Sequence, residues 1–138
     1  MRYRISCGVI PVYVETNGTF RFLLVQGYGG YWGFPKGHKK KNESHQETAL
    51  RELQEETGII PNTLEDNLIF TERYRIPKKR GTDIMKKVVY YISKVPNTKV
   101  LLQTTELKQY AWCTLDEARE KLIENRIKIL ERITEKLT

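Results

Sequence analysis

The chain has 138 residues, enough for one domain with a sizeable core and crowded for two. A hydrophobic content of 39% with 30% charged residues is that of a globular polypeptide, and no apolar run approaches the roughly 20 residues of a membrane span. The net charge of +7 suits a polyanionic partner and does not by itself choose between a nucleotide and RNA.

Taken in order, Met1-Arg-Tyr-Arg-Ile5 lacks the apolar segment of a secretory leader, so a cytoplasmic location is expected. Tyr3 to Glu15, rich in Val, Ile and Tyr, predicts a strand. Asn17-Gly18 turns it back into a second strand, Phe20 to Gln26, as a β-hairpin. Gly27 to Gly33 fails the Gly-x-Gly-x-x-Gly pattern, because Trp32 stands where the last glycine should be; a flexible approach loop is expected. Trp32 is assigned to core packing. Pro35 stiffens the chain beyond it, and Lys36 supplies a fixed cation able to hold a phosphate.

The next stretch carries the chemistry. Ser44 followed by Glu47 fits a capping box, and Gly58 supplies a left-handed stop, so a helix is predicted over 45 to 57. On that helix Glu52, Glu55 and Glu56 share one arc, while Ala49, Leu50 and Leu53 lie on the adjoining arc that faces a core. Three like charges within a turn and a half repel one another and call for an arginine, solvent or a divalent cation. Oxygen-only ligands favour magnesium or manganese.

Beyond Pro61, Leu68 to Ile76 and Lys87 to Ser93 read as neighbouring strands. The segment from Pro77 to Lys87 between them carries five cations and is expected to contact phosphate. Val100-Leu-Leu102 and Gln109 to Cys113 are predicted as two more short strands. Thr114 to Glu117 repeats the capping box and starts a helix through about Leu122. Asn125 to Leu137 places Ile127, Leu130, Ile133 and Leu137 at helical spacing, an apolar stripe that packs on the sheet. Two strand sets flanked by helices give an α/β fold, an α/β/α sandwich with a mixed β-sheet.

His38 and His45 lack the spacing of a zinc site, and Cys7 and Cys113 read as buried, reduced thiols. No serine elbow or cysteine-histidine arrangement competes with the carboxylates, so water activated by a metal is the best nucleophile available.

Gly37, Glu43, Arg51, Glu52, Leu53, Glu55, Glu56, Gly58 and Ile59 meet every specified position of the Nudix box, and the stretch resembles that family. The resemblance implies a hydrolase of nucleoside diphosphates linked to another moiety. Under it Glu52, Glu55 and Glu56 look like metal ligands, with Gly37 and Glu106 beside them, and Arg51 with Glu43 looks like the pair that orients the carboxylates. Phe34-Pro-Lys-Gly-His38, Cys7-Gly8, Phe22 to Val25 and Glu106-x-x-x-Tyr110-x-Trp112 further resemble the asymmetrical diadenosine tetraphosphate hydrolases. By that similarity Lys36 and Lys86 look like phosphate contacts and Tyr74 and Tyr110 like base-stacking residues.

The expected activity is therefore cleavage of diadenosine tetraphosphate to ATP and AMP with magnesium, or manganese, as cofactor. An RNA 5′ pyrophosphohydrolase, which would bind an RNA 5′ end, and a nucleoside triphosphate pyrophosphatase use the same box. Pro35-Lys36-Gly37-His38 stands where the RNA enzymes usually show Pro-Gln-Gly-Gly. A non-catalytic binding module is disfavoured by the intact glutamates. Neither a membrane nor an obligate protein partner is indicated.

Overall fold

A computed structural model describes residues 2–138. In chain order the elements are β1 (Arg2–Val14), β2 (Phe20–Gly27), β3 (Trp32–Gly33), β4 (Lys36–His38), α1 (His45–Thr57), β5 (Ile69–Ile76), β6 (Ile84–Lys94), β7 (Leu107–Cys113), α2 (Leu115–Arg119) and α3 (Glu124–Leu137). No helix among them is long and apolar enough to cross a membrane.

The strands form one mixed sheet in the order β3-β2-β1-β6-β5, with β4 added to β1 and β7 added to β2. β1 runs parallel to β6 along almost its whole length, and the other pairings are antiparallel. The long first strand is shared: its start pairs with β4 and its end with β2, so the sheet splits beside Gly8 to Val12. The functional residues gather at that split.

Strand alternation sorts the core onto two faces. Ile10, Val12, Phe22, Leu24, Val88, Tyr90 and Ile92 pack under α2 and α3, which contribute Ala118, Ile127, Leu130 and Ile133. Cys7, Val9, Val89 and Tyr91 face α1, which contributes Ala49 and Leu53. The result is the expected α/β/α sandwich. Cys7 and Cys113 are both buried and unpaired.

Four local expectations need correction. Val100 to Leu102 is not a strand: Leu101 N–H and Gln103 N–H donate to the carbonyls of Thr57 and Glu56, each at 2.9 Å. The segment thus satisfies two open carbonyls at the end of α1 instead of joining a ladder. Gly27 to Gly33 is a closed hairpin, with Gly27 N–H on Tyr31 O and Gly30 (φ 92°) at the turn. The basic segment divides, because β6 begins at Ile84: Lys78, Lys79 and Arg80 are in the connection, whereas Lys86 and Lys87 are strand residues on opposite faces. The helix after Thr114 ends at Arg119.

Candidate active site

The carboxylate helix is delimited as its sequence requires. Ser44 accepts from Glu47 N–H and the Glu47 side chain accepts from Ser44 N–H, while Gly58 at φ 74° stops the helix. Burial of Ala49 and Leu53 sets its rotation, which turns Glu52 and Glu56 towards β4 and leaves Glu55 at the rim.

Arg51 is the hub of this edge. Its Nε and Nη2 donate to the two oxygens of Glu43 at 2.6 and 2.9 Å, a bidentate pair. Nη1 reaches Glu52 at 3.0 Å and Glu55 at 3.2 Å, and Nη2 also donates to the His38 carbonyl at 3.2 Å. Glu43 accepts further from Thr48 Oγ1 and Lys40 N–H. These donors, Arg51 first, hold the Glu43 carboxyl down at about 2. Glu43 is therefore an anchor for Arg51, which connects the loop, β4 and α1.

Glu56 has the opposite environment. Its side chain is buried, its Oε2 has no hydrogen-bond partner, and burial together with the Glu52 charge pushes its carboxyl up to about 8. Glu52 lies against β4 so closely that Gly37 has no room for a side chain. Glu106, on the turn before β7, lines the cavities on both sides of this centre. Among the described residues no three Asp, Glu, His or Cys side chains are already gathered into a ligand cage. An orphaned buried carboxylate oxygen beside a second carboxylate nonetheless fits a hard divalent cation, which would supply the missing partner. Glu52 and Glu56 are best placed to hold it, with Glu106 lining the same cavities and Glu55 held to the rim by Arg51.

The basic cavity beside these groups has a volume of about 460 Å³ and is lined by Lys36, His38, Lys39, Lys40, Arg51 and Lys86, together with Glu52 and Glu106. Lys86 is only 7% exposed and forms no ion pair among the described residues; its amine lies 3.4 Å from His38 Nδ1. Burial and the charges of Lys36 and Arg4 lower its pKa to about 8. Burial likewise lowers Lys36 and His38. A buried amine so destabilised as a cation gains when an anion enters the cavity. Sequence reasoning missed Arg4, which the β1 and β6 register sets beside Lys86.

A second cavity, of about 290 Å³, adjoins the first and shares Lys36 and Glu106 with it. Its lining adds Tyr31, Trp32, Phe34, Leu107, Arg126 and Glu56. Trp32 is half-buried against the core, with the Lys121 amine 4.8 Å from its ring centroid. Beneath it, Arg126 donates to Glu72 Oε2 and to the Trp32 carbonyl, both at 3.0 Å. Tyr90 donates its hydroxyl to the same Glu72. Arg126 and Glu72 also went unread, although both leave a signal: Arg126 continues the stripe of Leu130 and Ile133, and Glu72 alternates with Phe70 and Tyr74.

The structure does not bring Tyr74 and Tyr110 together. Tyr74 packs partly buried on the core under α3, opposite Lys86 on β6. Tyr110 pairs with Val25, on the face of β7 opposite to Ala111, and is 40% exposed. A further cavity, of about 590 Å³ around Pro61 to Asn67 and Tyr91, is lined by none of the box carboxylates.

The NUDIX domain family matches residues 2–133. The bis(5′-nucleosyl)-tetraphosphatase [asymmetrical] of Rattus norvegicus is 38% identical over 110 residues, covering 74% of this chain and 69% of that protein. An RNA pyrophosphohydrolase of Teredinibacter turnerae is 40% identical over 82 residues, 56% of this chain and 45% of that one. The fold superposes on a C. elegans Ap4A hydrolase binary complex with a TM-score of 0.79 at 24% identity, over 97% of each chain. With its box intact and its fold that of the family, the chain belongs to the Nudix hydrolases.

Proposed function

We propose that the chain is a divalent-metal-dependent hydrolase of dinucleoside polyphosphates that cuts diadenosine tetraphosphate asymmetrically into ATP and AMP. The observation that carries this reading is the junction of the Glu52 carboxylate with a cavity holding the buried cation of Lys86, with Glu56 in the adjoining cavity. A chain of four phosphates needs several cations along it, and Lys36, Lys86 and Lys39 line one continuous space. The relatives named for asymmetrical tetraphosphatase activity support the substrate class.

When bound, a divalent cation, magnesium or manganese, supplies charge neutralisation on the phosphates and acidifies water. The chain's own groups do the rest. Arg51 keeps Glu52 and Glu55 in place, Lys36 and Lys86 orient the phosphates, Glu52 and Glu56 would hold the cation, and the proton released by the attacking water passes to solvent. Water oxygen bonds to one phosphorus and the bridging oxygen leaves with the other nucleotide.

Hydrolysis in oxygen-18 water followed by separation of the nucleotides tests this directly. Equal ATP and AMP, with label in one of them, are expected, and the label identifies the phosphorus attacked. Two ADP would refute the asymmetric cut. The similarity to an RNA pyrophosphohydrolase favours a second reading, in which Arg4, Lys39 and Lys40 hold the backbone behind a 5′-triphosphate. Release of pyrophosphate from triphosphorylated RNA, with diadenosine tetraphosphate left intact, would establish that alternative.

A further inference from the structure

Glu56 and Glu106 line one cavity but reach it from separate parts of the chain: Glu56 stands on the last turn of α1, Glu106 on the turn before β7. A helix holds its side chains in place, whereas a turn needs further contacts to do so. Gln103 supplies them. Its N–H donates to the Glu56 carbonyl at 2.9 Å, and its side-chain Oε1 accepts from the Glu106 N–H at 3.0 Å. One residue thus touches both glutamates, the first through its backbone and the second through its side chain. We propose that Gln103 is a positioning residue, a clamp that holds Glu106 in a set place relative to Glu56 so that both can serve one divalent cation; this rests on the reading of the two glutamates as cation-holding groups.

A side chain that accepts from a nearby backbone N–H is ordinary in turns. What distinguishes this one is its far anchor, the carbonyl of Glu56 itself. Leu101 N–H is fastened in the same way to the Thr57 carbonyl, so the segment leading into the turn is tied to the end of α1 at two points. The Gln103 carbonyl accepts from Leu107 N–H at 3.2 Å, which closes the turn around Glu106. The Tyr28 hydroxyl, on the segment between β2 and β3, donates to the Thr104 carbonyl at 2.6 Å. None of these bonds uses the Glu106 carboxylate, which is left to the cavity. Glu56 brings to the same cavity a buried oxygen, Oε2, with no hydrogen-bond partner among the described residues. Ordering Glu106 beforehand lowers the entropy that cation binding must overcome.

The test separates the acceptor from the bulk of the side chain in the full-length protein. Gln103→Met keeps the length and loses the acceptor; Gln103→Glu keeps an acceptor oxygen, and both retain the backbone bond to Glu56. Manganese binding to the substrate-free protein is read from the EPR signal of the free ion. Gln103→Met should weaken it about tenfold, as loss of a group that orients a metal ligand does, and Gln103→Glu should restore it to within about threefold. Glu106→Gln should weaken binding by a similar factor. On that background neither change at Gln103 should alter binding further, because the clamp acts only through the Glu106 carboxylate. Wild-type binding in Gln103→Met with a lowered Tm in EDTA would make Gln103 a structural turn residue and overturn the proposal. Wild-type binding in Glu106→Gln, no rescue by Gln103→Glu, or a rescue that persists without the Glu106 carboxylate would overturn it too. Failure of the substrate reading looks different: manganese binding would follow the expected pattern, upholding the clamp, while diadenosine tetraphosphate remained uncut.

Discussion

Gly37 and Glu52 occupy touching positions: the space in which a Cβ on Gly37 would stand is filled by the Glu52 carboxyl group. Glycine is required here by close approach between β4 and α1. The obstructing atoms are the far end of a flexible side chain, so Gly37→Ala should leave the fold intact and swing Glu52 out of place. Displacing a reacting group by an ångström costs about a hundredfold in rate. The expected result is kcat lower by that order with a nearly unchanged Tm; equal activity would remove Glu52 from the metal site.

Gly8 gives the opposite expectation. A Cβ there would meet the Pro35 carbonyl, which is backbone and cannot swing away. Gly8→Ala should therefore prise β4 from β1, costing about 1–3 kcal/mol by overpacking. Urea unfolding measures this, and a variant as stable as the wild type would show that the Pro35 to Lys36 segment is loosely held.

Glu56 makes the stability of the metal-free protein depend on pH. Its folded pKa, about 8, lies above the ordinary 4.5, so the folded state binds the proton more tightly than the unfolded one. Stability is then greatest below 4.5 as far as this group is concerned, and falls as pH rises from there to about 8. Glu56→Gln should flatten that decline in Tm measured with EDTA present, and should also abolish the rise in Tm that magnesium produces in the wild type. A decline of unchanged slope in the variant would assign it to another group.

Glu43 works in the reverse sense. The Arg51 guanidinium depresses its folded pKa to about 2 from 4.5, so the pair stabilises above 4.5 and that contribution is lost as pH falls towards 2. Glu43→Gln should remove this part of the acid transition. Arg51→Ala should do the same and also lower turnover by at least tenfold, because Glu52 and Glu55 lose their common donor. Retained turnover with a large drop in Tm would make Arg51 a structural ion-pair residue.

Arg126 and Glu72 separate packing from function. Side chains 15% and 3% exposed form this pair, so Arg126→Met leaves an unpaired buried carboxylate and should cost about 3–5 kcal/mol. Glu72→Met combined with Arg126→Met removes both charges and should recover most of that stability. Recovery of catalysis to the wild-type level in the double variant would show that the pair does nothing for the site.

Local chemistry was legible from residues alone where it is carried by short-range interactions. The caps at Ser44 and Gly58, the turn at Asn17-Gly18 and the arc of Glu52, Glu55 and Glu56 depend on neighbours within a few positions, and each is found where the sequence put it. The box resemblance identified the family for the same reason, since its spacing is that of one loop and one helix. Sequence could not reveal that Val100 to Leu102 would spend its donors on the end of α1, because that choice is made by residues more than 40 positions away. Nor could it show that Tyr74 and Tyr110 diverge: strand alternation fixes each side chain only relative to its own neighbours, and which face of the sheet meets the site depends on register between β5, β6, β1, β2 and β7. The same registers set Arg4 beside Lys86, and the docking of α3 brought Arg126 under Trp32. Pairing across the sheet and packing upon it are many-body outcomes of burial, so the cavities, unlike the caps, exist only in the folded chain.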